Sequence, residues 1–140
     1  MTGRSRILGL MARRTSAEIA REQAEMLRLS RTHTEAQGMV DRLGSMLEER
    51  RTKPGQGGLA ADLRLNGALC AQIAAESARQ QDRAAALEVE LAAKQTEIAR
   101  RDRKRQKLEE AYRDARTAEA DAREARNAAA LPPRMPGAGR

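Results

Sequence analysis

Phenylalanine and tryptophan are absent from this 140-residue chain, and tyrosine and cysteine occur once each, as Tyr112 and Cys70. The large aromatic anchors of a globular core are therefore missing. A lone cysteine excludes an intrachain disulfide and any CxxC metal site. Flanked by Leu69 and Ala71, Cys70 reads as a small buried thiol. Valine occurs only at Val40 and Val89, and no alternating β-branched run exists, so strands are excluded. No run of 18 apolar residues is present, so no segment reads as a membrane span. The stretch Ile7–Ala12 is too short, and too soon followed by Arg13 and Arg14, for a signal peptide. As a membrane-surface helix it is short and lacks aromatics. The chain reads as cytoplasmic.

What is present is helix-forming. Charged residues make up 34%, and Ala, Glu, Arg, Leu and Gln dominate the middle of the chain. The hydrophobic share of 40% is inflated by alanine. Such a mixture suits a long helix or coiled coil better than a compact fold. The net charge is +7. The excess lies in residues 1–107, whereas residues 108–140 carry six basic and six acidic side chains. A basic balance suits nucleic acid, anionic lipid or an acidic protein surface.

Proline and glycine punctuate the chain twice. Thr52-Lys53-Pro54-Gly55-Gln56-Gly57-Gly58 interrupts any helix, because Pro removes a backbone donor and Gly frees the backbone. Leu131-Pro132-Pro133 opens a second break. The expected organisation is a flexible N-terminus (1–4), helix 1 (5–51), a turn (52–58), helix 2 (59–130) and a disordered tail (131–140).

Both helices carry a heptad seam. In helix 1, alternating steps of four and three give Leu8, Ala12, Thr15, Ile19, Glu22, Met26, Leu29, His33, Ala36, Val40, Leu43 and Leu47. Thr15-Ser16-Ala17-Glu18 also matches a capping box, so two starts are open, one there and one near Ser5. Gly38 and Gly44 weaken the last turns by about 1 kcal/mol each relative to Ala. In helix 2 the seam runs through Ile73, Ser77, Gln80, Ala84, Leu87, Leu91, Lys94, Ile98, Arg101, Arg105, Leu108, Tyr112 and Ala115. A seam repeating every 3.5 residues implies left-handed supercoiling of two helices. A short turn makes the antiparallel hairpin the economical pairing. The fold class is all-α, an antiparallel two-helix coiled-coil hairpin with an overhanging C-terminal helix.

If the chain folds about Gln56, facing residues have numbers that sum to roughly 112. Leu43 then meets Leu69 and Cys70, Met26 meets Leu87, and Ile19 lies between Leu91 and Lys94. Arg13 and Arg14 fall opposite Arg100, Arg101, Arg103, Lys104, Arg105 and Lys107, forming a basic belt. Helix 2 continues without a partner from about Tyr112 to Ala130, roughly 28 Å at 1.5 Å per residue. The overhang alternates acid and base and carries the row Ala111, Ala115, Ala118, Ala122 and Ala125.

These features admit plain readings beside functional ones. A charge run is ordinarily a solvated face, and an Ala-rich overhang a helical linker. His33 is a tolerated polar seam residue. Nucleic acid is disfavoured, because base stacking needs aromatics and Tyr112 stands alone, although phosphate contact remains open. Two helices with no third element assemble no catalytic set, so no enzyme activity, cofactor or metal is expected. Belt residues Arg13, Arg14, Arg100, Arg101, Arg103, Lys104, Arg105 and Lys107, together with Leu108 and Tyr112, are the candidate partner-binding residues.

A basic hairpin of this length with an overhanging second helix resembles the FliJ family, the central-stalk proteins of the bacterial flagellar type III export apparatus. The resemblance covers most of residues 5–130. It rests on the hairpin, the seam lengths, the Gln- and Glu-rich second helix and the segment Lys107-Leu108-Glu109-Glu110-Ala111-Tyr112. It implies a protein whose paired termini insert into the hexameric export ATPase ring, while another surface touches the export gate protein at the membrane. Leu8–Arg14, Arg100–Lys107 and the helix from Leu108 to about Arg126 would then enter the ring, at the cytoplasmic face of the inner membrane. The competing class is a structural or regulatory coiled-coil scaffold, or a nucleoid-associated binder of nucleic acid through its belt.

Overall fold

The computed structural model describes residues 3–52 and 60–132. Helix α1 spans Gly3–Thr52 and helix α2 spans Ala60–Ala130, and they pack as an all-α helical hairpin. Its antiparallel sense is fixed by contacts that join Ser5 to Glu119 and His33 to Glu88. Among the described residues there is no strand. No described helix is long and apolar enough to cross a membrane. The expected turn, from Lys53 onward, lies outside the described residues, as do Leu59, where helix 2 was expected to begin, residues 1–2 and residues 133–140 of the tail. Gly3 and Arg4 are already helical, so α1 begins earlier than the expected residue 5.

The heptad seam explains the packing. Every position named for it, on both helices, is buried or half-buried. Thr15 lies within α1 and is 4% exposed. Its hydroxyl donates to the Met11 carbonyl at 2.9 Å, so the capping-box match is a helix-interior segment, and the earlier start is the correct one.

Residues 21–52 and 60–98 form one compact unit. Its core is Leu29, Ala36, Ala84 and Leu87, with Leu91 packed against them; Ile73 is also buried. Alanines at the centre let the two backbones approach, and the leucines supply the apolar area. Burying one such leucine fully contributes about 1.5–3 kcal/mol. Nearer the ends of this unit's helices, Val40, Leu43, Leu47, Leu69 and Cys70 are only half-buried.

Some polar residues bond across the pair. The Lys94 ammonium donates to Glu22 at 2.7 Å and to Glu25 at 3.0 Å. His33 Nε2 lies 3.1 Å from Glu88, and Arg50 donates to Asn66 at 3.2 Å. The hydrogen bond to Glu22, and then that to Glu25, raises the Lys94 pKa above its ordinary value. A cation whose pKa is raised by folding contributes its full stability below the unfolded value and loses it as pH rises through the folded one. Near neutral pH Lys94 is therefore expected to contribute its full stability with no pH dependence, and that contribution is expected to be lost in strong alkali, beyond the ordinary lysine range. Urea unfolding followed by far-UV ellipticity, compared with Lys94→Met, checks this. An alkaline loss of equal size in the variant would refute it.

The register differs from the one expected. Bonded partners across the helices have numbers centred near 120 in sum, as in Lys94 with Glu25, Arg101 with Glu18 and His33 with Glu88. That is about one heptad from the expected 112. A slip of one heptad returns every seam residue to the seam, so apolar periodicity cannot choose between the two registers. The polar residues choose. In the shorter register Arg101 and Arg105 would face the stretch before Glu18, which contains no acid. In the observed one Arg101 reaches Glu18.

Candidate functional site

Described residues 3–20 and 99–132 belong to a second compact unit, which carries all the candidate residues. Its interior is the seam again: Ser5, Ala12, Thr15 and Ile19 are buried on α1, against half-buried Arg101, Arg105, Leu108, Tyr112 and Ala115 on α2. Four candidate residues, Arg101, Arg105, Leu108 and Tyr112, are thus part of the pairing itself. Leu108 sits in the seam. Tyr112 lays its ring against α1, where a Cβ on Gly9 would stand 3.2 Å from Cε2. Glycine within a helix costs about 1 kcal/mol relative to alanine; here it makes room for the ring. The Arg116 guanidinium lies 5.8 Å from the ring centroid, within cation–π range.

The basic belt divides into two populations. Arg101 and Arg105 point into the seam and are neutralised: Arg101 donates to Glu18 at 2.9 Å, and Arg105 to Asp102 and Glu109 at 2.8 Å each. Asp102, then Glu109, raises the Arg105 pKa further above its ordinary value, so this group stays charged and occupied. Arg14 also donates to Glu18, at 3.3 Å, but its side chain is 83% exposed. Such surface pairs contribute little and exchange readily.

Arg13, Arg100, Arg103, Lys104 and Lys107 are exposed. Arg13, Arg103, Lys104 and Lys107 form no ion pair among the described residues. Helical spacing puts Arg100, Lys104 and Lys107 along one stripe of α2. Lys104 adjoins α1 as well, sharing one shallow concavity with Met11, Arg14, Thr15 and Glu18 and another with Thr15, Glu18, Arg100 and Arg101. Of the expected belt, Arg14 and Lys104 line one concavity. Arg13 instead lines a concavity of about 400 Å³ with Ser5, Arg6, Gly9, Leu10 and Tyr112.

Two residues outside the candidate set fasten this unit. Ser5 is fully buried; its hydroxyl donates to Glu119 Oε2 at 2.8 Å, and its backbone N–H donates to Glu119 Oε1 at 3.3 Å. That N–H belongs to the first turn of α1, where amides lack intrahelical acceptors and the helix dipole favours an anion. α1 has no acid in its own first turn, so α2 supplies the cap. One further step of the seam at each end, from Leu8 to Ser5 and from Ala115 to Glu119, marks both residues in the sequence. The pairing thus extends at least to Glu119, and residues 120–130 beyond it are all exposed. That stretch is shorter than the overhang expected from Tyr112. Glu119→Ala is expected to destabilise by about 1 kcal/mol, with an upper bound near 2. Faster amide exchange confined to the first turns of α1 would identify the lost cap; unchanged exchange there would rule it out.

The site can therefore present a rigid cationic surface to an anionic partner. Comparisons with family models, curated proteins and solved structures find no match to this chain.

Proposed function

We propose that the chain is a non-catalytic coiled-coil stalk protein of a bacterial flagellar (type III) export apparatus, binding the export ATPase ring in the cytoplasm and coupling it to the membrane export gate. One observation carries this reading. Beside the pairing of α1 with α2, Arg13, Arg103, Lys104 and Lys107 are exposed without an acidic partner among the described residues, and α2 runs on to Ala130 past the bond of Glu119 to Ser5. A stiff helix with a charged sleeve suits insertion into an acidic ring, where electrostatic complementarity sets orientation and association rate. The resemblance to the FliJ family supplies the identity of the ring and of the gate.

Pull-down with the organism's export ATPase at low salt, and stimulation of its ATP hydrolysis, test the reading. Absence of both sinks it. The stripe Arg100, Lys104 and Lys107 also suits a phosphate backbone, so retention on DNA at physiological salt would favour the nucleic-acid alternative.

A further inference from the structure

Residues 1–17 contain Arg4, Arg6, Arg13 and Arg14 and no acid; the first acidic residue of the chain is Glu18. Within this segment Ile7, Leu10 and Met11 are 57%, 54% and 43% exposed. At spacings of three and four they share one face of α1, turned away from the seam positions Leu8, Ala12 and Thr15. The hairpin makes no use of them. Exposed apolar residues elsewhere, such as Leu27 and Val89, stand singly and need no explanation; three on one face do.

Cations flank this ridge on both sides. Leu10 shares a concavity with Arg6 and Arg13, and Met11 shares another with Arg14 and Lys104. Between these two shallow concavities the ridge itself stands out from α1. A folded partner would have to offer a groove of matching shape, whereas a lipid interface yields around a convex ridge and needs no fixed pairing geometry. Long Arg and Lys side chains reach from an apolar face to phosphate level, and an acid-free basic helix is attracted to anionic headgroups.

We propose that this ridge docks the chain on an anionic lipid surface, with Ile7, Leu10 and Met11 entering the boundary between headgroups and acyl chains. Arg6, Arg13, Arg14 and Lys104 meet the lipid phosphates. The weak pair of Arg14 with Glu18 does not oppose this, because that arginine is almost fully exposed. Docking does not depend on the stalk reading, since it requires no ATPase.

Flotation of the full chain with vesicles of equal parts phosphatidylglycerol and phosphatidylcholine tests the proposal. The chain is expected to float with these vesicles at low salt and to stay behind with phosphatidylcholine alone. The variants Ile7→Ser/Leu10→Ser and Arg6→Gln/Arg13→Gln are each expected to lower partitioning roughly 20-fold, with helical ellipticity and melting unchanged because all four side chains are exposed. Failure to float with the anionic vesicles would overturn the proposal. So would an Ile7→Ser/Leu10→Ser variant that floats like the wild type, since adsorption would then be electrostatic without insertion. Export ATPase binding can succeed or fail independently of either result.

Discussion

Leu87→Ala is expected to lower the free energy of unfolding by about 2–3 kcal/mol, a large share of the stability of so small a core. Leu87 is 9% exposed and belongs to the cluster of Leu29, Ala36 and Ala84. Two of these neighbours are already alanine, so neither can extend to fill the space. Only Leu91 adjoins them from the half-buried shell, and a hairpin two helices deep has no further layer to close in. Urea denaturation followed by far-UV ellipticity measures the loss. Leu65→Ala serves as the control: that side chain is 70% exposed, and its truncation is expected to change stability by less than about 0.5 kcal/mol. Equal effects in the two variants would mean that the cluster around Ala84 is not where the helices hold together.

The second large effect separates binding from folding within one run of charges. Reversal of Arg103, Lys104 and Lys107 to Glu is expected to leave helicity intact and to reduce affinity for an acidic ring on the order of 100-fold. All three are exposed and unpaired among the described residues, so the hairpin loses nothing by their removal, while attraction becomes repulsion. Arg101→Glu and Arg105→Glu should behave differently. Arg101 would meet Glu18, and Arg105 would meet Asp102 and Glu109, placing like charges together in the half-buried seam. These two variants are expected to melt at lower temperature and to lose binding only in proportion to unfolding. Binding titrations at two salt concentrations, beside thermal melts, distinguish the groups. If the exposed triple reversal binds as well as the wild type, the belt is a solvated face.

Neighbouring residues in this run therefore take opposite roles. Arg100 and Arg101 look alike in sequence, as do Lys104 and Arg105. A rotation of 100° per residue places one member of each pair outside and the other in the seam. The heptad phase in helix 2 already assigned Arg101 and Arg105 to the seam, so the division was legible before any coordinates. That Arg101 would find Glu18 was not, because that pairing crosses the helices and depends on the register, whereas Arg105 pairs with Asp102 and Glu109 one turn away on its own helix. Tyr112 and Leu108 were likewise on the seam by phase. Their use inside the hairpin, with the tyrosine ring against Gly9, requires knowing that Gly9 comes opposite.

The sequence by itself determined the secondary structure, the seam and the sense of pairing. Scarce aromatics and the lack of an alternating β-branched run left only helices, Pro and Gly interrupted them, and seven-residue periodicity named the seam positions. The tertiary structure decided the offset between the helices. Hydrophobic periodicity is degenerate under a slip of one heptad, and the degeneracy is lifted by long-range polar contacts: Lys94 with Glu22 and Glu25, Arg101 with Glu18, and Ser5 with Glu119. Those contacts set how far α2 runs beyond α1, and they determine which cations remain available to a partner.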